Sequence, residues 1–241
     1  MRFTLFISIT LLFLFTSWAI AAGKIVMVCA AVPLGVEDQL IADHIEKLGF
    51  KVEPHQHLEK HPVDLSGVDG VFIAESTSSV NITSAYKSAT VPVINAETYT
   101  YDDMGFAPDG SFNSDPDDTL IIKDRNHPIT KGFGEKVKIH TTPIAVMSCS
   151  DMKGDVHILA TVAGNGNVAI SFYEKGAKVM DGTTAPARRV NIFPHTTAIT
   201  SLTDEAWKLI ERSVLFGLGL MPVNPKRALA VTWGTLKAEY R

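Results

Sequence analysis

Glu75 and Glu97 each stand directly behind a short apolar run, Val71-Phe-Ile-Ala74 and Val91-Pro-Val-Ile-Asn-Ala96. Two carboxyl groups at neighbouring strand ends are the residue types of a general acid and base pair, as used in hydrolysis of a glycosidic bond. The plainer alternative is that they accept hydrogen bonds from loop amides or pair with Arg188 and Arg189. Ser76, Ser78 and Ser79 follow Glu75, and a hydroxyl with His195 as base and Glu75 or Glu97 to orient it would make a nucleophile. No Gly-x-Ser-x-Gly surrounds them, so capping of the free amides of the next helix is the favoured role. Asp102 and Asp103 would add hard oxygen ligands to Glu97 at a cation site, against the commoner role of such residues in capping turns.

The remaining candidates are weaker. Arg188 and Arg189 are suited to clamping a carboxylate or phosphate, but strand alternation turns only one of them to a given face, and pairing with a surface acid is the alternative. His55, His57 and His61 contain a His-x-His pair that zinc would accept. No cysteine or fourth ligand follows at finger spacing, so a solvated loop after the second strand is expected, and neither a metal nor a cofactor is. Tyr99, Tyr101 and Phe106 would serve as aromatic platforms for the apolar face of a sugar.

These residues share a site only if the fold brings strand ends together. Lys24-Ile-Val-Met-Val-Cys-Ala30 reads as a first strand, Glu37 and Asp38 open a helix where acids favour the positive end of its dipole, and Leu40, Ile41, His44, Ile45 and Leu48 share one helical face. Gly49 suits the helix end, and Phe50 to Glu53 reads as the second strand. That strand–helix–strand order is a βαβ unit with a right-handed crossover. Further strands are expected at Gly70–Ala74, Val91–Ile94, Thr119–Ile122, Val137–Ile139, Ile158–Val162, Val168–Tyr173 and Arg189–Phe193. A helix is expected over about Ile82–Ala89. Another follows Thr203, which can cap it, and carries the stripe Trp207, Ile210, Val214 and Leu218 before Gly219 and Pro222. The pattern predicts a three-layer α/β domain over 23–220 with a mainly parallel central sheet. Open α/β sheets bind ligands outside the carboxyl ends of their strands, which puts Glu75, Ser76, Ser78, Glu97, Tyr99, Asp102, Arg188 and His195 forward as candidate ligand-binding residues. The stretch from Asp102 to Asp118 is the main irregular segment.

The whole chain has 241 residues, is 46% hydrophobic and carries a formal net charge of -4, which does not suit a nucleic-acid binder. Residues 1–22 combine Arg2, an apolar run from Phe3 to Ile20 and the small residues Ala19-Ile-Ala-Ala22. They read as a secretory signal peptide, with an uncleaved anchor helix as the alternative. The mature protein is expected outside the cytoplasm, periplasmic or extracellular, and off the membrane. Residues 221–241 form a tail containing Trp233, too short for a core of its own. Cys29 and Cys149 read first as small buried hydrophobes, then as a bridge that export would permit, and last as a reactive thiol.

The ordered set Phe72-Ile-Ala-Glu-Ser-Thr-Ser-Ser-Val80, Val91-Pro-Val-Ile-Asn-Ala-Glu-Thr-Tyr-Thr-Tyr-Asp-Asp-Met-Gly105, His127-Pro-Ile-Thr-Lys-Gly132, Ala187-Arg-Arg-Val-Asn-Ile-Phe193 and Leu202-Thr-Asp-Glu-Ala-Trp-Lys-Leu209 resembles the class I glutamine amidotransferase-like superfamily, and within it the trehalose-utilisation (ThuA-like) proteins. The resemblance spans about 24–220. It implies a flavodoxin-like sheet and, more loosely, a link to carbohydrate. Active amidotransferases carry a cysteine at a tight strand-to-helix elbow with His and Glu as partners. The elbow expected here, Ala74-Glu-Ser-Thr77, has none, so glutamine hydrolysis is not expected. Three functions remain: binding of a small polar molecule, plausibly a carbohydrate, at the sheet edge; hydrolysis of a carbohydrate-type substrate by rim carboxylates; or a structural, partner-binding role using the tail. The oligomeric state is not legible.

Overall fold

A computed structural model describes residues 23–57 and 62–221. The expected signal peptide, His61 and the tail beyond Met221 lie outside the described residues. In chain order the elements are β1 (Lys24–Cys29), α1 (Val36–Lys47), β2 (Lys51–Gln56), β3 (Gly70–Ile73), α2 (Ser79–Ile82), β4 (Val93–Asn95), β5 (Phe112–Asn113), β6 (Pro116–Asp117), β7 (Thr119–Ile122), β8 (Lys136–Lys138), β9 (Ile144–Ala145), β10 (Ser148–Cys149), β11 (His157–Val162), β12 (Val168–Tyr173), β13 (Arg189–Asn191) and α3 (Asp204–Gly217).

The main sheet runs β2-β1-β3-β4-β13-β12-β11-β7-β8. The first five of these strands are parallel neighbours, with β1 flanked by β2 and β3. The next four join antiparallel. The chain between β4 and β13 supplies this antiparallel wing, so the last strand in sequence lies beside the fourth. The result is the expected α/β domain with a mainly parallel centre.

Helices α1 and α3 cover one face, over Ile25, Met27, Phe72, Ile94 and Val190. Gly217 lets α3 lie close, because a Cβ there would come 3.1 Å from Ile94 and 3.4 Å from Val190. The other face holds Val28, Ile73, Tyr86, Tyr101, Phe106 and Tyr173. The irregular stretch after β4 is therefore partly a packing layer: Met104, Phe106 and Ala107 are buried.

Two local expectations change. The helix expected over Ile82–Ala89 is the single turn α2 followed by consecutive tight turns, Ala85 N–H to Ile82 O, Lys87 N–H to Ser84 O and Ala89 N–H to Tyr86 O. Thr83 adopts φ 40°, which ends the helix, and the Ser, Val, Asn and Thr around it are poor helix formers. The apolar spacing is kept, since Ile82, Ala85, Tyr86 and Ala89 are all buried. The second correction is His57, which is not in a solvated loop. It is 3% exposed, with Nδ1 3.3 Å from the Tyr86 hydroxyl. Strand β2 runs on through Gln56, and the next residue, His57, turns into the core.

Helix α3 starts as its sequence indicates. The Thr203 Oγ1 accepts from the Ala206 amide at 3.2 Å and donates to Lys138 O at 2.8 Å, tying the helix start to β8. Thr203→Ala is expected to cost about 1 kcal/mol, read as a lower midpoint in chemical denaturation with an unchanged slope.

Candidate functional site

Strands β3, β4 and β13 end at one edge, and each is followed within four residues by a polar side chain: Glu75, Glu97 and His195. Strand β3 exits through Ala74, whose amide donates to Val28 O, and Thr77, whose hydroxyl donates to the same carbonyl. This double tie to β1 fixes Glu75 and Ser76 between them. Glu75 Oε2 accepts from the Thr196 amide at 2.6 Å, and its Oε1 lies 3.6 Å from His195 Nε2. His195 is the cap of the short helical turn after β13, and its Nδ1 accepts from the Thr197 amide at 3.2 Å. A neutral His195 whose Nδ1 accepts must carry its proton on Nε2, the nitrogen that faces Glu75.

Strand β4 delivers Glu97. Asn95, its last residue, accepts from the Glu97 amide at 2.9 Å and donates to the Thr100 hydroxyl at 2.9 Å, which in turn donates to Glu97 O. Glu97 Oε1 accepts from the Tyr99 amide at 2.8 Å. The side chain is 4% exposed, and burial pushes its carboxyl up to about 8, with the Glu75 charge adding to the shift and the Tyr99 amide opposing it. Strand β1 leads through its loop to Asp38 in the first turn of α1. Asp38 is 5% exposed and accepts from the Ser76 hydroxyl at 2.6 Å. Burial raises its carboxyl, Ser76 opposes this, and the Glu37 and Glu75 charges add to it.

The edge therefore gathers Asp38, Glu75, Ser76, Glu97 and His195 from four strand ends. At neutral pH Glu97 holds a proton that it can donate, and Glu75 and His195 lie paired at the same edge. Thr98, next to Glu97, has its Oγ1 buried with no hydrogen-bond partner among the described residues. Among the described residues no group of three His, Cys, Asp or Glu side chains is arranged to hold a metal ion.

The other candidates fall elsewhere or act differently. Arg188 precedes β13 and so lies at the amino end of that strand, away from the rim. Its guanidinium is paired with Glu174 through bonds of 2.9–3.0 Å, sits 3.9 Å from the centre of the Phe216 ring and donates to Phe216 O. Pairing with an acid, not ligand clamping, is its role. Ser78 is exposed at the start of α2 and makes no capping bond. Tyr99 is 38% exposed, its ring 4.6 Å from that of Phe112. Asp102 sits in a turn closed by the Gly105 amide on Asp102 O, with its Oδ1 buried and without a hydrogen-bond partner among the described residues.

Sequence reasoning does not single out Asp38 or Asn95 as site residues. An acid in a first helical turn is accounted for by the dipole alone, so nothing local marks Asp38. Asn95 does leave a signal. A polar side chain in a buried parallel strand breaks the apolar run, and Asn191 does the same in β13. The two are in register across the sheet, with Ser171 beside Asn191, and form a buried polar rung just below the rim.

The elbow after β3 offers Ser76 and no thiol. Cys29 lies buried at the end of β1, its Sγ 3.3 Å from Ala31 O and 3.5 Å from His55 O. Burial and the Asp38 charge push it up to about 11. Cys149 is buried in β10 and likewise raised, and the two are not bonded to each other. Both thiols are expected to react with a neutral-pH alkylating reagent only after unfolding, and glutamine should release no ammonia. Alkylation of the native protein at a small-thiol rate would overturn this.

No protein-family model and no curated protein sequence matches the chain. Solved structures do resemble it. A ThuA-like protein from Parabacteroides merdae ATCC 43184 is 13% identical over 84% of this chain and 92% of its own, with a TM-score of 0.55. A GMP synthase subunit protein from Thermoplasma acidophilum is 12% identical over 81% of this chain and 96% of its own, with a TM-score of 0.51. At such identities the likeness is one of fold. The chain shares the flavodoxin-like α/β fold of ThuA-like and class I glutamine amidotransferase-like domains, as the sequence resemblance implied.

Proposed function

We propose that the carboxyl edge of the parallel sheet binds a small, uncharged, hydroxyl-rich molecule, a carbohydrate by chemical class, in a domain exported by its N-terminal segment. The observation that carries this reading is the neutral Glu97 beside the Glu75–His195 pair. Sugar hydroxyls both donate and accept. A protonated carboxyl that donates, a carboxylate that accepts and an imidazole paired with that carboxylate suit such a ligand, while the acidic surroundings disfavour an anion. Tyr99, part-exposed at the same loop, would cover an apolar sugar face. The ThuA-like neighbour is compatible with a carbohydrate link, and export rests on residues 1–22 alone. With a net charge of -4, nucleic acid is not proposed as a partner.

The protonation of Glu97 also supports a second reading, in which it is the general acid of a carbohydrate hydrolase and Glu75 with His195 supplies the base. Titration of a panel of mono- and disaccharides into wild type, Glu75→Gln and Glu97→Gln, with product analysis, separates the two. Saturable binding in wild type, weakened by about tenfold or more in Glu75→Gln through loss of a charge-assisted hydrogen bond, with no turnover, supports a binding module. Turnover abolished by Glu97→Gln with the fold intact supports the hydrolase. Affinities identical in all three proteins would end both readings.

A further inference from the structure

A cavity of about 460 Å³ opens at the far edge of the sheet, between β8, the Gly132–Gly134 loop and the outer face of α3. It is separate from the rim. Strand β8 stands four places beyond β13 in the sheet, about 19 Å at 4.8 Å per strand. Its walls are basic although the chain as a whole is acidic. Lys136 and Lys138 are alternate residues of β8 and point the same way, with Val137 buried between them. Lys208 and Arg212 are a helical turn apart on α3, so strand and helix each present two cations to the same space.

The four cations are not equally committed. Lys138 Nζ is 3.4 Å from Asp118. Arg212 is pinned by bonds to Lys131 O at 2.7 Å and Ile129 O at 3.4 Å, and lies 5.0 Å from the centre of the Phe133 ring. Lys136 and Lys208 have no acidic partner within 4.0 Å among the described residues. The amides of Gly132 and Gly134 have no acceptor among the described residues either, and both glycines line the cavity. One acid, Glu205, shares the wall.

We propose that this cavity is a binding site for a small phosphate-bearing organic molecule. Two ammonium groups without acidic partners, one on each wall, with Lys138 and Arg212 beside them and amides of the lining glycines left open, match a tetrahedral dianion with several acceptor oxygens. The volume is that of a small-molecule site, larger than a bare phosphate requires. Glu205 supplies an acceptor for hydroxyls on the body of the molecule and counts against a bare inorganic ion.

Calorimetric titration of the full chain with inorganic pyrophosphate and with a hexose 6-phosphate tests the assignment. Saturable 1:1 binding that weakens as salt rises is expected, with the sugar phosphate tighter. The double variant Lys136→Ala/Lys208→Ala should lose at least tenfold in affinity while its unliganded melting temperature is unchanged. Glu205→Gln should tighten pyrophosphate and weaken the sugar phosphate. Binding unaltered in the double variant, absence of saturation by either probe, or capture of a long polyanion with neither small probe bound would overturn the proposal. Because neither lysine lies at the rim, failure here leaves the carbohydrate reading standing, and the reverse also holds.

Discussion

Replacing Glu97 by Gln is expected to stabilise the protein increasingly as pH rises from about 5 to 8. The unfolded chain releases the Glu97 proton near the ordinary carboxyl value of 4.5, whereas the folded protein holds it to about 8. Between these values the native state binds more protons than the unfolded state, so the contribution of Glu97 to stability is fully present below about 4.5 and is lost as pH climbs towards 8. At 1.36 kcal/mol per pKa unit the loss is on the order of 5 kcal/mol. Glutamine has the shape of the protonated acid, still accepts from the Tyr99 amide and never ionises, so it removes the pH-dependent part. Melting curves of wild type and Glu97→Gln from pH 4 to 9 should coincide at the acid end and diverge steadily above pH 5. A constant gap across that range would mean that the buried carboxyl is already ionised. Both functional readings of the rim would then lose their donor.

Arg189→Ala is expected to destabilise the fold by about 3–5 kcal/mol, because it leaves several buried carbonyls without donors at about 1–3 kcal/mol for each that stays unsatisfied. Arg189 is 2% exposed. Its two terminal nitrogens donate to five backbone carbonyls, those of Lys87, Ala89, Val91, Ala187 and Arg188. Burial pulls the guanidinium down to about 10, which leaves it cationic at neutral pH. The carbonyls come from the turns after α2, the entry to β4 and the entry to β13, so one side chain gathers three chain segments at the amino end of the sheet. Truncation strands these carbonyls without donors. Arg189→Lys should recover only a small part, because a single ammonium cannot span the arc that a planar guanidinium covers. Urea denaturation measures both. A loss below about 1 kcal/mol in Arg189→Ala would show that water or neighbouring amides replace the donor, contrary to the usual cost of buried unsatisfied groups.

The two arginines also mark where sequence reasoning stops short. Alternation indicates that Arg188 and Arg189 face opposite ways, and they do: one lies over Phe216 and the other is inside the core. Grouping Arg188 with the rim overlooks strand direction, because residues that enter a parallel strand lie at the edge opposite those that leave it. What no local pattern conveys is that Arg189 is held by carbonyls rather than by an acid, since these belong to segments about 100 residues earlier in the chain.

The elements set by near neighbours were readable from the sequence. The β1–α1–β2 unit, the Thr203 cap of α3 and the central place of β1 follow from apolar period, capping chemistry and the handedness of crossovers, all of which act over a few residues or one connection. The exits of β3, β4 and β13 were legible for the same reason, and with them Glu75, Ser76, Glu97 and His195 as one polar edge. Only the tertiary structure decided which of these groups holds a proton and which acids share the edge. Asp38 joins because α1 begins at the same edge, where its first turn meets Ser76. Glu97 stays neutral because the covering loop buries it beside the charge of Glu75. Burial and charge proximity are sums over atoms remote in sequence, and they acquire values only when the chain has closed around them.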